Sequence, residues 1–224
     1  MELSTINKAE AVRYLRYGDN IPDKTISLII DECERRLLDI INPMYVYRVF
    51  DKEYNSEGEL QVPGYNTVLK GKSIKKHLEN SQKIAMLCAT LSNGADTLIR
   101  TSQVNDVTGA LITDALANAA IEQVCDHVCD LIKEKLPDYY QTSRFSPGYG
   151  DLPMDLQNSF LTILDAPRRI GVTLSDGGLL VPLKSVTAIV GLTRENIKST
   201  QSGCSSCALR ETCEYRKSGT NCRK

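Results

Sequence analysis

Histidine is nearly missing from this sequence: His77 and His127 are the two copies among 224 residues. One falls in a basic helical segment and the other on the solvated face of a predicted helix, so no Ser-His-Asp arrangement can be drawn. Long apolar runs are missing too. No stretch reaches the roughly 20 residues that span a bilayer, and Met1-Glu-Leu-Ser lacks the basic start and apolar stretch of a signal peptide. The expectation is a cytoplasmic protein. With a net charge of −1, the chain has no general attraction to nucleic acid or an anionic membrane. The Gly-rich strand–helix turn of Rossmann-type methyltransferases is absent. Ser175-Asp-Gly-Gly178 is not followed by a Lys-Ser/Thr helix, so it reads as a hairpin turn and not a phosphate loop.

What is present is ordinary for a globular chain, with 42% apolar and 25% charged residues. The length suits one large domain or one domain with appendages. Residues 1–80 read as the helical and strand beginning of a domain, 81–195 as its core, and 196–224 as a separate tail. The eight cysteines divide along the same line. Cys33, Cys88, Cys125 and Cys129 lie within helix or strand patterns, where a reduced thiol behaves as a small buried hydrophobe. Cys204, Cys207, Cys213 and Cys222 crowd the tail, and in a cytosolic chain such a cluster favours a metal over disulfides. Four thiolates suit tetrahedral zinc or an iron–sulfur cluster, and spacing does not choose between them. Too few apolar residues lie there to fold the tail without a metal.

In chain order, Asn7 can cap a short helix running to about Tyr17. Asp23 caps a longer one whose Ile26, Ile29, Ile30, Cys33, Leu37, Leu38 and Ile41 form an apolar stripe. Met44 to Tyr54 reads as a strand, Gly71 to Asn80 as a basic helical turn, and Ile84 to Leu91 as a buried strand. A helix follows from about Ala95. Asp155 to Leu164 is predicted helical, with Leu156, Phe160, Leu161 and Leu164 on its buried side. Ile170 to Leu174 and Leu179 to Leu183 read as a strand pair about the Ser175–Gly178 turn, and Ser185 to Leu192 as a further strand. The fold class expected is α+β, a mixed or antiparallel sheet flanked by helices.

Two stretches carry the functional signal. In the helix expected from about Asp106 to Leu136, Gln123, Asp126, His127, Asp130, Lys133 and Glu134 share the solvated face. Asp114 falls within the apolar arc and Glu122 at its edge, where an unpartnered carboxylate would cost several kcal/mol. Each therefore needs a hydrogen-bonding or cationic partner, either from the protein or from a ligand. The second stretch, Arg144-Phe-Ser-Pro-Gly-Tyr-Gly-Asp-Leu-Pro153, has neither helical nor strand period. Its prolines restrict φ, its glycines allow close backbone approach, and Arg144 adds a forked donor suited to a carboxylate.

The run Arg144-Phe-Ser-Pro-Gly-Tyr149, with Pro153, Ile170-Gly-Val-Thr-Leu, Leu180-Val-Pro182 and Ser185-Val, resembles the activation (reactivation) domain of cobalamin-dependent methionine synthase. Asp114-Ala-Leu-Ala-Asn-Ala-Ala-Ile-Glu122 resembles that domain's long helix. The similarity covers roughly residues 80 to 192, and the first part of the chain looks like free-standing bacterial relatives. The resemblance implies S-adenosylmethionine binding, with Arg144 on its carboxylate, Glu122 on its amine, and Pro147, Gly148 and Tyr149 shaping a backbone wall. It also implies an N-terminal acidic contact, for which the sequence offers no position. The role implied is an activation subunit supporting reductive remethylation of cob(II)alamin on a separate methionine synthase or related corrinoid protein, with a reductase as possible electron source. The alternative is a metal-bearing or iron–sulfur electron-transfer partner of a corrinoid system that no longer binds S-adenosylmethionine.

Overall fold

The computed structural model describes residues 1–17 and 22–195. The expected tail ligands Cys204, Cys207, Cys213 and Cys222 therefore lie outside the described residues. Seven helices and eight strands are placed among the described residues: α1 (Lys8–Tyr14), α2 (Lys24–Ile40), β1 (Met44–Asp51), β2 (Glu53–Tyr54), β3 (Leu60–Gln61), α3 (Lys72–His77), β4 (Lys83–Thr90), α4 (Asn93–Asn105), α5 (Val107–Lys135), β5 (Tyr140–Gln141), α6 (Leu156–Leu164), α7 (Ala166–Ile170), β6 (Thr173–Leu174), β7 (Leu180–Val181) and β8 (Ser185–Thr193).

Helix starts follow local chemistry. The side chains of Asn7, Asp23 and Asp106 accept hydrogen bonds from the N–H groups of Glu10, Ile26 and Gly109 at 3.1, 2.9 and 2.8 Å, satisfying donors that the first helical turn leaves unpaired. The stripe predicted on α2 is the packed one. Ile30, Cys33 and Leu37 are buried, and Ile26, Ile29, Leu38 and Ile41 pack partly against the same core.

The main sheet has four strands in the order β1-β4-β8-β5, all antiparallel. Of the two arrangements the sequence allowed, the antiparallel one is present. Helices cover both faces. Alternation along β4 sends Ala85, Leu87 and Ala89 into a core with α1, α2, α4 and α5, and sends Ile84, Met86 and Cys88 into a second core with α3, α6 and α7. Along β8, Ala188, Val190 and Leu192 join the first core and Ile189 the second. Burial on both faces explains why β4 reads as a near-continuous apolar run and not as an alternating one. Side chains as fully enclosed as Leu37, Leu116 and Phe160 each contribute about 1.5–3 kcal/mol.

Cys33, Cys88 and Cys125 are buried free thiols and Cys129 is half-buried, as their patterns required. Burial pushes the Cys88 thiol up to about 12, so it remains neutral in the core.

Three expected strands are shorter: Met44 to Tyr54 breaks at Lys52 into β1 and β2, which belong to different sheets, Leu179 to Leu183 narrows to Leu180–Val181, and Ile170 to Leu174 starts late. Ile170 closes α7 instead of opening a strand, because Asp165 turns left-handed at φ 53° to end α6 and Pro167 opens the next helical turn. Gly171, at φ 69°, then ends α7, leaving Thr173–Leu174 as the strand that pairs with Leu180–Val181.

Candidate functional site

The segment after α5 runs back along the free edge of β8. Tyr140 and Gln141 pair with Thr193 and Leu192. Thr142 Oγ1 accepts from Gly191 N–H at 2.8 Å, and Phe145 exchanges both backbone hydrogen bonds with Ile189 at 2.9 and 2.8 Å. Gln141 also donates from its side chain to the Cys129 carbonyl of α5 at 2.7 Å. Arg144, between these anchors, is thereby held over α5.

The loop beyond Arg144 consists of two successive turns. Tyr149 N–H bonds the Ser146 carbonyl at 3.0 Å, with Pro147 and Gly148 at the centre and Gly148 at φ 88°, as a type II turn requires. Leu152 N–H then bonds the Tyr149 carbonyl at 3.0 Å, and Gly148 N–H returns to the Leu152 carbonyl at 2.9 Å. Asp151 reaches across to α3, accepting from Lys72 N–H at 2.6 Å and Ser73 N–H at 2.9 Å. Those two bonds, Ser73 first, hold its carboxyl below the usual carboxylate range. The His77 ring stacks 5.0 Å from Phe145 and lies 2.8 Å from the Ser143 carbonyl, so this histidine supports the base of the loop.

A cavity of about 950 Å³ opens between α1, α5, this loop and the start of β8. Ala119, Glu122, Gln123, Asp126 and Cys129 line it from α5, and Asn7, Glu10, Arg13 and Tyr14 from α1. Ser146, Pro147, Tyr149, Met154, Gln157, Leu180 and Thr187 complete much of the opposite wall. Within it the Arg144 guanidinium is only 23% exposed and meets two acids, Glu122 Oε2 at 2.5 Å and Asp126 Oδ1 at 2.5 Å. Burial alone would lower the Arg144 pKa. The hydrogen bond to Asp126 and the field of Glu122 outweigh it, so the pKa is raised and the charge is permanent. On α1, Arg13 pairs with Glu10 and lies 4.8 Å over the Tyr14 ring. Burial first, then the charges of Glu122 and Glu10, push the Tyr14 phenol up to about 12, so it faces the cavity as a hydrogen-bond donor. Opposite, Thr187 donates to Gln157 Oε1 at 2.9 Å in a buried pair.

Glu122, Arg144, Pro147 and Tyr149, drawn from distant stretches of sequence, thus share one cavity wall system. Gly148 does not line it: its N–H is used within the loop and its Cα faces Met154. Asp126, grouped by periodicity with the solvated face, instead grips Arg144. The contribution of α1 had no sequence signal beyond its cap, because it depends on how α1 packs against α5. Asp114 is neutralised from another direction. Lys184 reaches it at 2.7 Å and Asn118 at 2.7 Å, beside a second hollow of about 670 Å³. Of the partners the sequence allowed for Asp114, the structure supplies a cation of the protein itself, Lys184.

Among the described residues no group of three or more His, Cys, Asp or Glu could hold a metal ion. Nor is any described helix long and apolar enough to cross a membrane.

No protein-family model matches the chain, and no curated protein matches it in sequence. Its fold is similar to that in a crystal structure of the MetH reactivation domain bound to AdoHcy. The TM-score is 0.62, over 97% of this chain and 82% of that one, at 14% identity. The likeness of fold thus extends well beyond the 80–192 region in which the sequence motifs lie.

Proposed function

We propose that this protein binds S-adenosylmethionine in the α1–α5 cavity and serves as the activation subunit of a separate cobalamin-dependent methionine synthase or related corrinoid protein. The observation that carries this reading is the meeting of Arg144 and Glu122 beside an open cavity, in a fold similar to a reactivation domain bound to AdoHcy. About 950 Å³ lies within the usual range of small-molecule sites. The lining also suits a zwitterion with an extra positive charge. Arg144 offers forked donors to a carboxylate, Glu122 offers an acceptor to an amine, and acids outnumber guanidinium groups in the wall, with Glu10, Glu122 and Asp126 against Arg13 and Arg144. Glu10 is the candidate for the acidic contact from the N-terminal part. Pro147 and Tyr149 form the wall against which the ligand would lie.

When bound, S-adenosylmethionine supplies an electrophilic methyl group, and the reduced corrinoid of the partner supplies its acceptor. The chain's own contribution is positional. Arg144 and Glu122 fix the amino-acid end at two points, and the doubly turned loop limits how far the remainder can swing.

One observation favours the alternative of a corrinoid-system partner that has lost this ligand: both terminal nitrogens of Arg144 are already engaged by the protein's own carboxylates. Calorimetry separates the two. Saturable binding of S-adenosylmethionine that disappears in Arg144→Ala supports the activation subunit. No heat from protein whose circular dichroism shows it folded supports the metal-bearing partner. In that case, visible absorption after anaerobic purification and elemental analysis distinguish an iron–sulfur cluster from zinc at Cys204, Cys207, Cys213 and Cys222.

A further inference from the structure

The two acids on the Arg144 fork are not equivalent. Glu122 and Asp126 stand one turn apart on α5 and each meets a terminal nitrogen at 2.5 Å, yet the Asp126 side chain is 67% exposed and that of Glu122 41%. Arg144 is the fixed member, 23% exposed and followed at once by the Phe145 bridge to β8. If the pair must open, the acid facing water is the one that moves.

Building on the S-adenosylmethionine reading, we infer that Asp126 determines specificity by occupying the place of the ligand's carboxylate on Arg144 until the ligand displaces it. Glu122 has a counterpart on the ligand, the amine. Asp126 has none: it brings an acid to the position where the ligand also brings one, and the two repel if both remain. Its exposure lets it leave for water with little desolvation cost, because an exposed ion pair is weak. Meanwhile it keeps the fork aligned, so a carboxylate-bearing ligand meets preorganised donors and a ligand without a carboxylate gains nothing from Arg144.

General electrostatics predicts the opposite sign, which makes the inference testable. S-adenosylmethionine carries one carboxylate against an ammonium and a sulfonium, so deleting any acid from the wall should weaken its binding. Release of the fork should strengthen it.

The test is calorimetry on the full chain with S-adenosylmethionine, S-adenosylhomocysteine and decarboxylated S-adenosylmethionine. It compares the wild type with Asp126→Asn, Asp126→Ala and, as control, Asp130→Asn, an exposed acid further along α5 that does not line the cavity. Both Asp126 variants are expected to bind the two carboxylate-bearing ligands roughly fivefold more tightly. They should bind the decarboxylated one no better than the wild type, and Asp130→Asn should tighten none. Unchanged or weaker binding of the carboxylate-bearing ligands by both Asp126 variants overturns the inference alone, as does equal tightening of all three. Failure of every ligand to bind both the wild type and the Asp126 variants removes the S-adenosylmethionine reading, and this inference with it.

Discussion

Gly150 and Gly148 sit two residues apart in the loop beside the cavity, both at positive φ, but their surroundings differ. A methyl group on Gly148 would meet the Met154 terminal carbon at 2.8 Å, the free end of a flexible exposed side chain. On Gly150 it would meet Ser73 Oγ at 2.6 Å and Ser73 Cβ at 2.8 Å, and that carbon moves only with α3. Gly148→Ala is therefore expected to cost about 1 kcal/mol from backbone conformation alone, whereas Gly150→Ala adds overpacking and should cost about 2–4 kcal/mol. Urea unfolding of the two variants checks the ranking, and the reverse order would show that the loop is not wedged against α3. At this scale the sequence was informative where chemistry is local. Pro147-Gly148 announces its turn, and Arg144 and Glu122 announce charges needing partners. Asp126 could not be read so: its periodicity puts it with Asp130 on the outer face, and only the return of the chain along β8 brings Arg144 over it.

Among elements, α3 depends on a fastening from another part of the chain. It has six residues, its N-cap is Gly71, and no side chain of its own caps it. Asp151 supplies the missing acceptor from the loop, so the helix and the cavity's loop share one fastening. Because the folded-state pKa of Asp151 lies below 3.8, the stabilisation is fully present above that ordinary value. It is lost as pH falls through the lower folded value. Hydrogen exchange should show it: Asp151→Ala at neutral pH lowers protection of the Lys72 and Ser73 amides, and acidification of the wild type below pH 3.8 lowers it too, once each rate is referred to the intrinsic rate at that pH. Unchanged protection in the variant would mean that α3 is held by Ile74 and its neighbours alone. The long helices α2 and α5 were legible because hydrophobic period and N-cap agree over many residues, and β4 because its apolar run is nearly continuous. β5 has two residues and α7 five, too few to show a period. Both arise from tertiary causes: an edge of β8 to pair with, and a left-handed Asp165 that lets the chain restart as helix.

For the molecule as a whole, the buried residues of the two cores run from Ile6 to Leu192 among the described residues. A chain ending at Glu195 should therefore unfold in a cooperative transition within a few degrees of the full chain's midpoint, while elemental analysis shows that it has lost whatever metal the tail cysteines hold. A broad, non-cooperative melt of the shortened chain would make the tail part of the folding unit. The sheet order was the part of the architecture least open to reading. Nothing in the local pattern of β8 says that it inserts between β4 and β5: the alternation of Val186, Ala188, Val190 and Leu192 with Ser185, Thr187 and Thr193 marks one apolar face but names no neighbour.

That insertion has a consequence for biosynthesis. β4 is complete at Thr90, but its inner neighbour begins at Ser185, so nearly the whole polypeptide must leave the ribosome before the middle of the sheet can close. During that interval Ile84, Met86 and Cys88 have one flank open and a bare strand edge beside them, the kind of surface that chaperones recognise and that aggregates without them. A translation product stopped short of Thr193 would have no smaller native structure to settle into.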